Sequence, residues 1–277
     1  MNETTSETPR EKERQLQELL RQYGNVAVAY SGGVDSTYLA DVAHETLGSR
    51  ARMILADSPS VPRSELAEAT AVARERDWSL TVIATREFSD EAFLKNDPKR
   101  CYFCKNELFT QMRRYAEDHD IAVLAYGETA DDVLDPTRFG KVAAVEHAVV
   151  APLQQVGLVK EEIRLLSHRR GLPTWDKASF ACLSSRIPTG TRLTLTDLSK
   201  VERAEEVLKR LGFHQYRARH HGELCRIEID VNDFGKVLDP EMRSRIVQEL
   251  KAIGYRYVTL DLAGYRTGST AAPVRPV

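Results

Sequence analysis

The chain has no apolar run of about 18 residues, the length a membrane-spanning helix requires, so nothing in it is expected to cross a bilayer. Its start, Met1 to Glu13, is polar and charged and carries no apolar segment of the kind a secretory leader needs, so a cytoplasmic location is expected. An excess of one charge is missing too. Lys and Arg number 39 against 41 Asp and Glu, a formal net charge of −2. With a pI near 6.4, this argues against a nucleic-acid partner. Cysteine is scarce: four in 277 residues make no disulfide framework, and their spacing reads first as metal or redox chemistry. Internal repeats and low-complexity tracts are absent as well.

What is present is an ordinary globular composition, 42% hydrophobic and 29% charged, with length for one large domain or two smaller ones. Short, nearly all-apolar strands are expected at Val26–Tyr30, Arg52–Ala56, Ser79–Thr85 and from Ile121 onward. They alternate with helices near residues 11–23, 36–47, 62–76, 105–120 and 160–171. That alternation predicts an α/β fold, a doubly wound parallel sheet covered on both faces, over residues 1–187. Ligands of such sheets sit beyond the carboxyl ends of the strands, near a switch in strand order. From residue 188 to 277 the pattern changes to helix, two alternating strands, helix and strand, which predicts a smaller C-terminal α+β domain.

The first strand runs into Ser31-Gly32-Gly33-Val34-Asp35-Ser36, and a helical pattern follows directly. A strand-to-helix turn of small residues aims backbone N–H groups and the positive end of a helix at one place, where an anion can sit. The Gly-Lys-Ser/Thr ending of a Walker A loop is absent, and so is the third glycine of the dinucleotide fingerprint. Ser-Gly-Gly-x-Asp-Ser instead resembles the PP-loop of ATP pyrophosphatases, which adenylate a substrate and release pyrophosphate. On that reading Gly32 and Gly33 admit phosphate, and Ser31 and Ser36 donate hydroxyls. Asp35 holds Mg²⁺, since a carboxylate beside phosphate needs a cation between them. Two further strand ends fit the same ATP site. Asp57 and Ser58 follow the second strand, where adenosine is expected. Gly127-Glu128-Thr129-Ala130-Asp131-Asp132 follows the fourth and resembles the Gly-x-x-Ala-Asp-Asp segment of the same superfamily, which assigns Gly127 and Thr129 to the nucleotide.

Cys101 and Cys104 have two residues between them, and Cys182 arrives from Ser179–Arg186. Three thiolates can hold a [4Fe–4S] cluster with one iron open. They can also form a redox dithiol, a structural zinc site with a fourth ligand, or plain core packing. Cys225 shares strand parity with Ile227 and Ile229 and reads as a packed core thiol.

Taken together, Ser31–Ser36, Gly127–Asp132, "GLPTWDKASFACLSSRIPTG" and "GYRYVTLDLAGYRTGS" resemble the LarE family over nearly the whole chain. These are ATP-dependent sulfur transferases that serve the nickel-pincer nucleotide cofactor of lactate racemase. The resemblance implies a small nucleotide substrate, pyridinium-3,5-biscarboxylic acid mononucleotide, whose carboxylate is adenylated and converted to a thiocarboxylate. One branch of the family sacrifices a cysteine in a Cys-x-x-Ser-Ser-Arg context. Here that position is Ala181, and the thiol falls one residue later. Cys101, Cys104 and Cys182 match the branch that holds a [4Fe–4S] cluster with a transferable sulfide, which gives Cys182 a catalytic part beside Asp35 and Glu205. The resemblance further implies substrate binding by Ser185, Arg186, Arg217, Arg219 and Arg266, and leaves Arg138 without its usual neighbours. It implies a homo-oligomer, trimer or hexamer, and leaves the sulfur donor open. A cluster-dependent tRNA thiolation enzyme and an adenylating amide ligase with structural zinc are the alternative readings.

Overall fold

The computed structural model describes residues 7–134, 139–178 and 182–266; Arg138 and Ala181 lie outside them. In chain order the elements begin with α1 (Pro9–Tyr23), β1 (Val26–Tyr30), α2 (Val34–Leu47), β2 (Ala51–Asp57), α3 (Arg63–Glu75), β3 (Leu80–Ala84), α4 (Glu91–Leu94) and α5 (Arg100–Asp118). Next come β4 (Val123–Tyr126), α6 (Gly140–Glu146), β5 (Val149–Val150), α7 (Pro152–Gln155) and α8 (Lys160–Arg169). The chain continues through α9 (Leu195–Arg210), β6 (Tyr216–His221), β7 (Leu224–Ile229), α10 (Phe234–Leu238), α11 (Pro240–Ile253) and β8 (Tyr257–Leu260). Its contacts divide it into two units. One comprises Met1–Ser58, Arg63–Glu87 and Cys101–Phe180, and the other Pro59–Pro62, Phe88–Arg100 and Ala181–Val277. The second unit thus takes in two short excursions that a linear boundary at residue 187 does not include.

In the first unit five strands form one parallel sheet in the order β3-β2-β1-β4-β5. Period-two alternation gives each central strand two apolar faces. Val26, Val28 and Tyr30 of β1 and Met53 and Leu55 of β2 pack with Leu16, Leu20, Leu39, Ala73 and Ile163. Ala27 and Ile54, on the opposite face, pack with Phe109, Met112 and Ala143. The chain goes outward through β1, β2 and β3, then returns to the other side of β1 with β4. The switch in strand order therefore falls between β1 and β4.

One expectation needs correcting. The helix read from residue 105 begins at Arg100, so Cys101 and Cys104 lie at its start, within its first five residues. The start signal is Asp97-Pro98: the Asp97 carboxylate accepts from the Lys99 N–H at 2.7 Å, and its carbonyl accepts from the Arg100 N–H at 3.0 Å. Strand β5 has no counterpart in the sequence pattern, because two residues carry no periodicity.

In the second unit β6 and β7 are antiparallel and β8 joins β7 in parallel. One face carries Ala218, Cys225, Ile227 and Ile229 against α9 and α11 residues such as Leu208 and Leu250. Cys225 is the core thiol that its parity predicts, and burial pushes it up to about 12. The opposite face carries Arg217, Arg219, Arg226 and Glu228, and Arg217, Arg219 and Glu228 are buried as well.

His220, 3% exposed, has its Nδ1 in hydrogen-bond contact with the Tyr255 hydroxyl at 3.1 Å and its Nε2 3.3 Å from Asp197. Burial holds its pKa below the ordinary value; Asp197 opposes the shift, and Lys200 and His221 reinforce it. A histidine depressed in the folded state stays neutral there while the unfolded chain takes up a proton below about pH 6.5, so its contribution is lost as pH falls through that value. Denaturant titrations at pH 8 and pH 5.5, values chosen about one unit or more to either side, should show a smaller loss of stability for His220→Asn than for the parent chain. Equal losses would show that His220 does not titrate with unfolding.

Candidate functional site

Strand β1 delivers Ser31 to a loop that closes on the first turn of α2. The Ser36 hydroxyl accepts from the Ser31 N–H at 3.1 Å, donates to the Gly33 carbonyl at 3.2 Å and lies 3.0 Å from the Ser31 hydroxyl. Gly32 adopts φ +72°, and a Cβ there would stand 2.8 Å from the Ala69 Cβ on α3. No side chain caps the start of α2: Gly33 occupies that position with extended backbone, leaving the first N–H groups of the helix to be met by something else. Asp35 sits in that turn. Its Oδ2 accepts from the Lys160 ammonium, while its Oδ1 is buried with no hydrogen-bond partner. Burial raises the Asp35 pKa against the pull of Lys160. A buried, unsatisfied carboxylate oxygen beside a ligand-accepting loop fits a Mg²⁺ position.

Strand β4 brings the second segment. Thr129 N–H donates to the Asp132 carboxylate at 3.0 Å, and Lys160 N–H donates to Asp131 at 2.6 Å. Glu128, 5% exposed, accepts from the Tyr126 hydroxyl and lies 3.3 Å from the Lys141 ammonium. Strand β2 brings the third segment. Asp57 pairs with Arg63 at 2.5 Å and the Ser58 hydroxyl donates to Glu87. Ser31, Gly32, Gly33, Asp35, Ser36, Asp57, Ser58, Gly127 and Thr129 thus all lie at the carboxyl ends of β1, β2 and β4. Sequence reasoning misses two cations. Lys160, first residue of α8, reaches Asp35, and Lys177 reaches the Gly32 carbonyl at 3.4 Å while paired with Glu65 at 2.6 Å. Neither has a local signal, because each gains its meaning from a residue more than a hundred positions away.

In the second unit Arg186 is fully buried. It grips Glu205 of α9 through Nε at 2.8 Å and Nη2 at 3.0 Å, a two-pronged pair. Its Nη1 donates to the Cys182 carbonyl and the Ser185 hydroxyl, both at 3.0 Å. Glu205, 5% exposed, also accepts from the Ala218 N–H at 3.1 Å. Arg219 donates to the Ser185 carbonyl at 3.1 Å and to Glu228 at 2.7 Å, and its Nε is buried without a partner. Arg217 stacks on Tyr265, 4.9 Å from the ring centre, and burial followed by the neighbouring Arg186 lowers its pKa. Arg186, Glu205, Ser185, Arg217 and Arg219 are therefore brought together around Cys182, whereas Arg266 is exposed.

All four cysteines are thiols, none joined in a disulfide. Cys101 and Cys104, three positions apart at the start of α5, lie on one side of that helix and offer two sulfur donors. Cys182 belongs to the other unit. Among the described residues no three Cys, His, Asp or Glu side chains are gathered to hold a metal ion. The donor chemistry suits an iron–sulfur group, while a closed three-thiol site is not formed among them. Among the described residues no helix is long and apolar enough to cross a membrane.

Asp35→Asn should cut ATP-dependent pyrophosphate release by about a hundredfold or more and should not lower the melting temperature of the ligand-free chain, since burial disfavours the native carboxylate. Lys160→Met should weaken binding of Mg·ATP, read by calorimetry. Unchanged activity in Asp35→Asn would remove Asp35 from the site.

No family model matches the chain. Among curated proteins it is similar to an uncharacterized protein of Synechocystis, 38% identical over 92% of this chain and 96% of that protein. It is 31% identical, over 93% of this chain and 92% of the relative, to the pyridinium-3,5-bisthiocarboxylic acid mononucleotide synthase of Lactiplantibacillus plantarum. One of the subunits of the glutamine-hydrolyzing GMP synthase of Methanopyrus kandleri is 29% identical over 58% of this chain and 55% of its own length. The α/β sheet with its loop at the switch point agrees with these matches, which make the chain an ATP-dependent enzyme, and by its extended identity to the Lactiplantibacillus synthase it belongs to the LarE family.

Proposed function

We propose that the protein adenylates a carboxylate of pyridinium-3,5-biscarboxylic acid mononucleotide and converts it to a thiocarboxylate, in biosynthesis of the nickel-pincer nucleotide cofactor of lactate racemase. The observation that carries the reading is the occurrence of an ATP loop at the switch point and of a buried arginine set around Cys182, in a chain aligned along nearly its whole length with a synthase of that product class. In the first step a substrate carboxylate oxygen attacks the α-phosphorus of ATP, and pyrophosphate leaves. The loop N–H groups and Lys160 receive the charge that develops on it, and Asp35 holds Mg²⁺. In the second step sulfur, delivered as a sulfide equivalent, adds to the acyl-adenylate carbonyl. The C–O bond to AMP breaks, a C–S bond forms, and AMP departs with the electron pair. Arg217 and Arg219 supply cations for the substrate phosphate, while Arg186 and Ser185 fix the Cys182 backbone.

Cys101, Cys104 and Cys182 are the residues that would hold a [4Fe–4S] cluster, which when bound supplies a replaceable sulfide. This reading is supported by the placement of one pair three positions apart on a helix, which sets two sulfur donors on one side of it. A cytoplasmic homo-oligomer, trimer or hexamer, completes the proposal.

The test is an anaerobic assay with ATP, Mg²⁺ and the biscarboxylic mononucleotide. Pyrophosphate release that depends on the mononucleotide, with exchange of a carboxylate oxygen for sulfur in the product mass, is the expected outcome. Release that ignores the mononucleotide would sink the substrate assignment. Iron and acid-labile sulfide at about four each per chain, lost in Cys101→Ala, are expected in the same preparation. Zinc in their place, or Cys182 turned to dehydroalanine after turnover, would overturn the cluster part.

A further inference from the structure

Two ammonium groups reach the Ser31–Ser36 loop, and the chemistry set out above uses only that of Lys160. The other belongs to Lys177, whose backbone is anchored by α8. Arg164 donates to the Trp175 carbonyl at 2.7 Å and to the Lys177 carbonyl at 2.8 Å, and the Lys177 N–H donates to the Thr174 carbonyl at 3.0 Å. From this turn the side chain runs to α3. Its Nζ lies 2.6 Å from Glu65, 3.3 Å from Glu68 and 3.4 Å from the Gly32 carbonyl. The side chains of Lys177 and Glu65 are 19% and 14% exposed and that of Glu68 is 46% exposed, so the pair with Glu65 is the shielded one. The same helix abuts the loop: Ala69 stands where a Gly32 side chain would, and its carbonyl accepts from the Tyr30 hydroxyl at 3.1 Å.

An ammonium compensated by a shielded carboxylate has little charge left for a phosphate. It can still fix main chain. Gly32, at φ +72°, has no side chain to restrain the peptide that follows it. That peptide is trans, so its C=O and N–H point to opposite sides. Holding the Gly32 carbonyl toward α3 therefore turns the Gly33 N–H the other way, to the Ser31 hydroxyl, which it meets only at 3.4 Å. This N–H is among those left without a helical partner at the start of α2, and a phosphate oxygen is a stronger acceptor for it than a hydroxyl.

We propose that Lys177, oriented by Glu65, is a positioning residue for the nucleotide loop: it holds the Gly32 carbonyl so that the Gly33 N–H faces the phosphates of ATP. The inference rests on the reading of Ser31–Ser36 as the ATP loop and adds to it a residue that itself touches no phosphate. Every group it invokes lies within the first unit.

The experiment uses the full chain labelled with ¹⁵N-glycine; with 15 glycines, the Gly33 amide signal is assigned by its loss in Gly33→Ala. A Cβ there meets only the Ser31 hydroxyl oxygen, at 3.5 Å, so that variant folds. In the parent, saturating Mg·ATP should move the Gly33 amide proton downfield, the mark of a hydrogen bond to an anionic acceptor. In Lys177→Met that move should be lost at saturation. The dissociation constant of Mg·ATP, read by calorimetry, should rise by about tenfold, the scale of a lost hydrogen bond to a charged group. Glu65→Gln should change both readouts in the same direction and by less, because Lys177 then loses its charged anchor. A lysine acting on phosphate directly would be freed by Glu65→Gln and bind Mg·ATP more tightly, a result that would overturn the proposal. A side chain that only supports the fold would lower the melting temperature of Lys177→Met and leave the Gly33 response as in the parent, which would overturn it too. Should Lys177→Met fail to fold with Glu65 unpaired, the double variant Lys177→Met, Glu65→Gln removes both charges and carries the same test. The two levels of failure are distinct. A Gly33 amide that ignores Mg·ATP in the parent would sink the loop reading and the proposal with it, whereas a parent response retained in Lys177→Met would sink the proposal alone.

Discussion

Two stretches of backbone come into contact at Gly127, and the nucleotide loop depends on that approach. A Cβ at this position would lie 2.9 Å from the Ser36 nitrogen and 3.1 Å from the Asp35 carbonyl carbon, both main-chain atoms that cannot yield. With glycine there, the exit of β4 lies directly against the first turn of α2. The parallel pairing of β1 with β4 sets the direction, and the missing side chain sets the distance. From this contact follow the placement of Thr129 and Asp131, the bond from the Lys160 N–H to Asp131, and the reach of the Lys160 ammonium to Asp35. Asp35 is left with one oxygen paired and one bare, a costly arrangement that a bound cation would relieve.

The second unit faces the opposite electrostatic problem. Its sheet buries arginines where most sheets bury aliphatic side chains, and a buried charge is tolerable only when it is paired and hydrogen-bonded. Glu205 and Glu228 neutralise Arg186 and Arg219. The ladder also sets Arg219 opposite Arg226, a like-charged pair that their shared partner Glu228 and, for Arg226, Asp261 compensate. Arg217 adds a further cation to the same face: it stacks on Tyr265, and its pKa is driven down by burial and by Arg186. Removing Glu205 would strand Arg186 as well, at a cost of about 3–5 kcal/mol for a broken buried pair. Arg217 is crowded by neighbouring cations, and Arg219 Nε is buried without a hydrogen-bond partner.

Some of this is legible in the chain, for identifiable reasons. The Ser31–Ser36 loop is readable because the backbone requirement, small residues between a buried strand and a helix, is written in consecutive positions. The core role of Cys225 is readable because strand parity is local. Glu205 is harder: within Glu-Glu-x-x-Lys it resembles a surface pair, and only the fold brings Arg186 and the Ala218 N–H to it. Lys160 and Lys177 show nothing locally, since their partners lie about a hundred residues or more away. The start of α5 escapes a reading by apolar periodicity because its signal is the polar turn Asp97-Pro98, and with it escapes the helical setting of the cysteine pair.

An acyl-adenylate is a commitment: once formed, it is lost to water unless sulfur stands ready beside it. ATP loops are common currency among adenylating enzymes, and the GMP synthase relative matches little more than half of this chain. The relative that matches nearly all of it is named a synthase of a bisthiocarboxylic acid mononucleotide, and the part beyond the shared half contains the segment from Cys182 to Arg186. There the fixed element is main chain: the Cys182 carbonyl accepts from the Ser185 N–H, the Ser185 hydroxyl and Arg186, at 3.0, 2.7 and 3.0 Å. Holding the carbonyl leaves the thiol itself uncommitted. A cysteine whose backbone is immobile and whose sulfur is available can serve either as a ligand or as a donor, and its neighbours decide which.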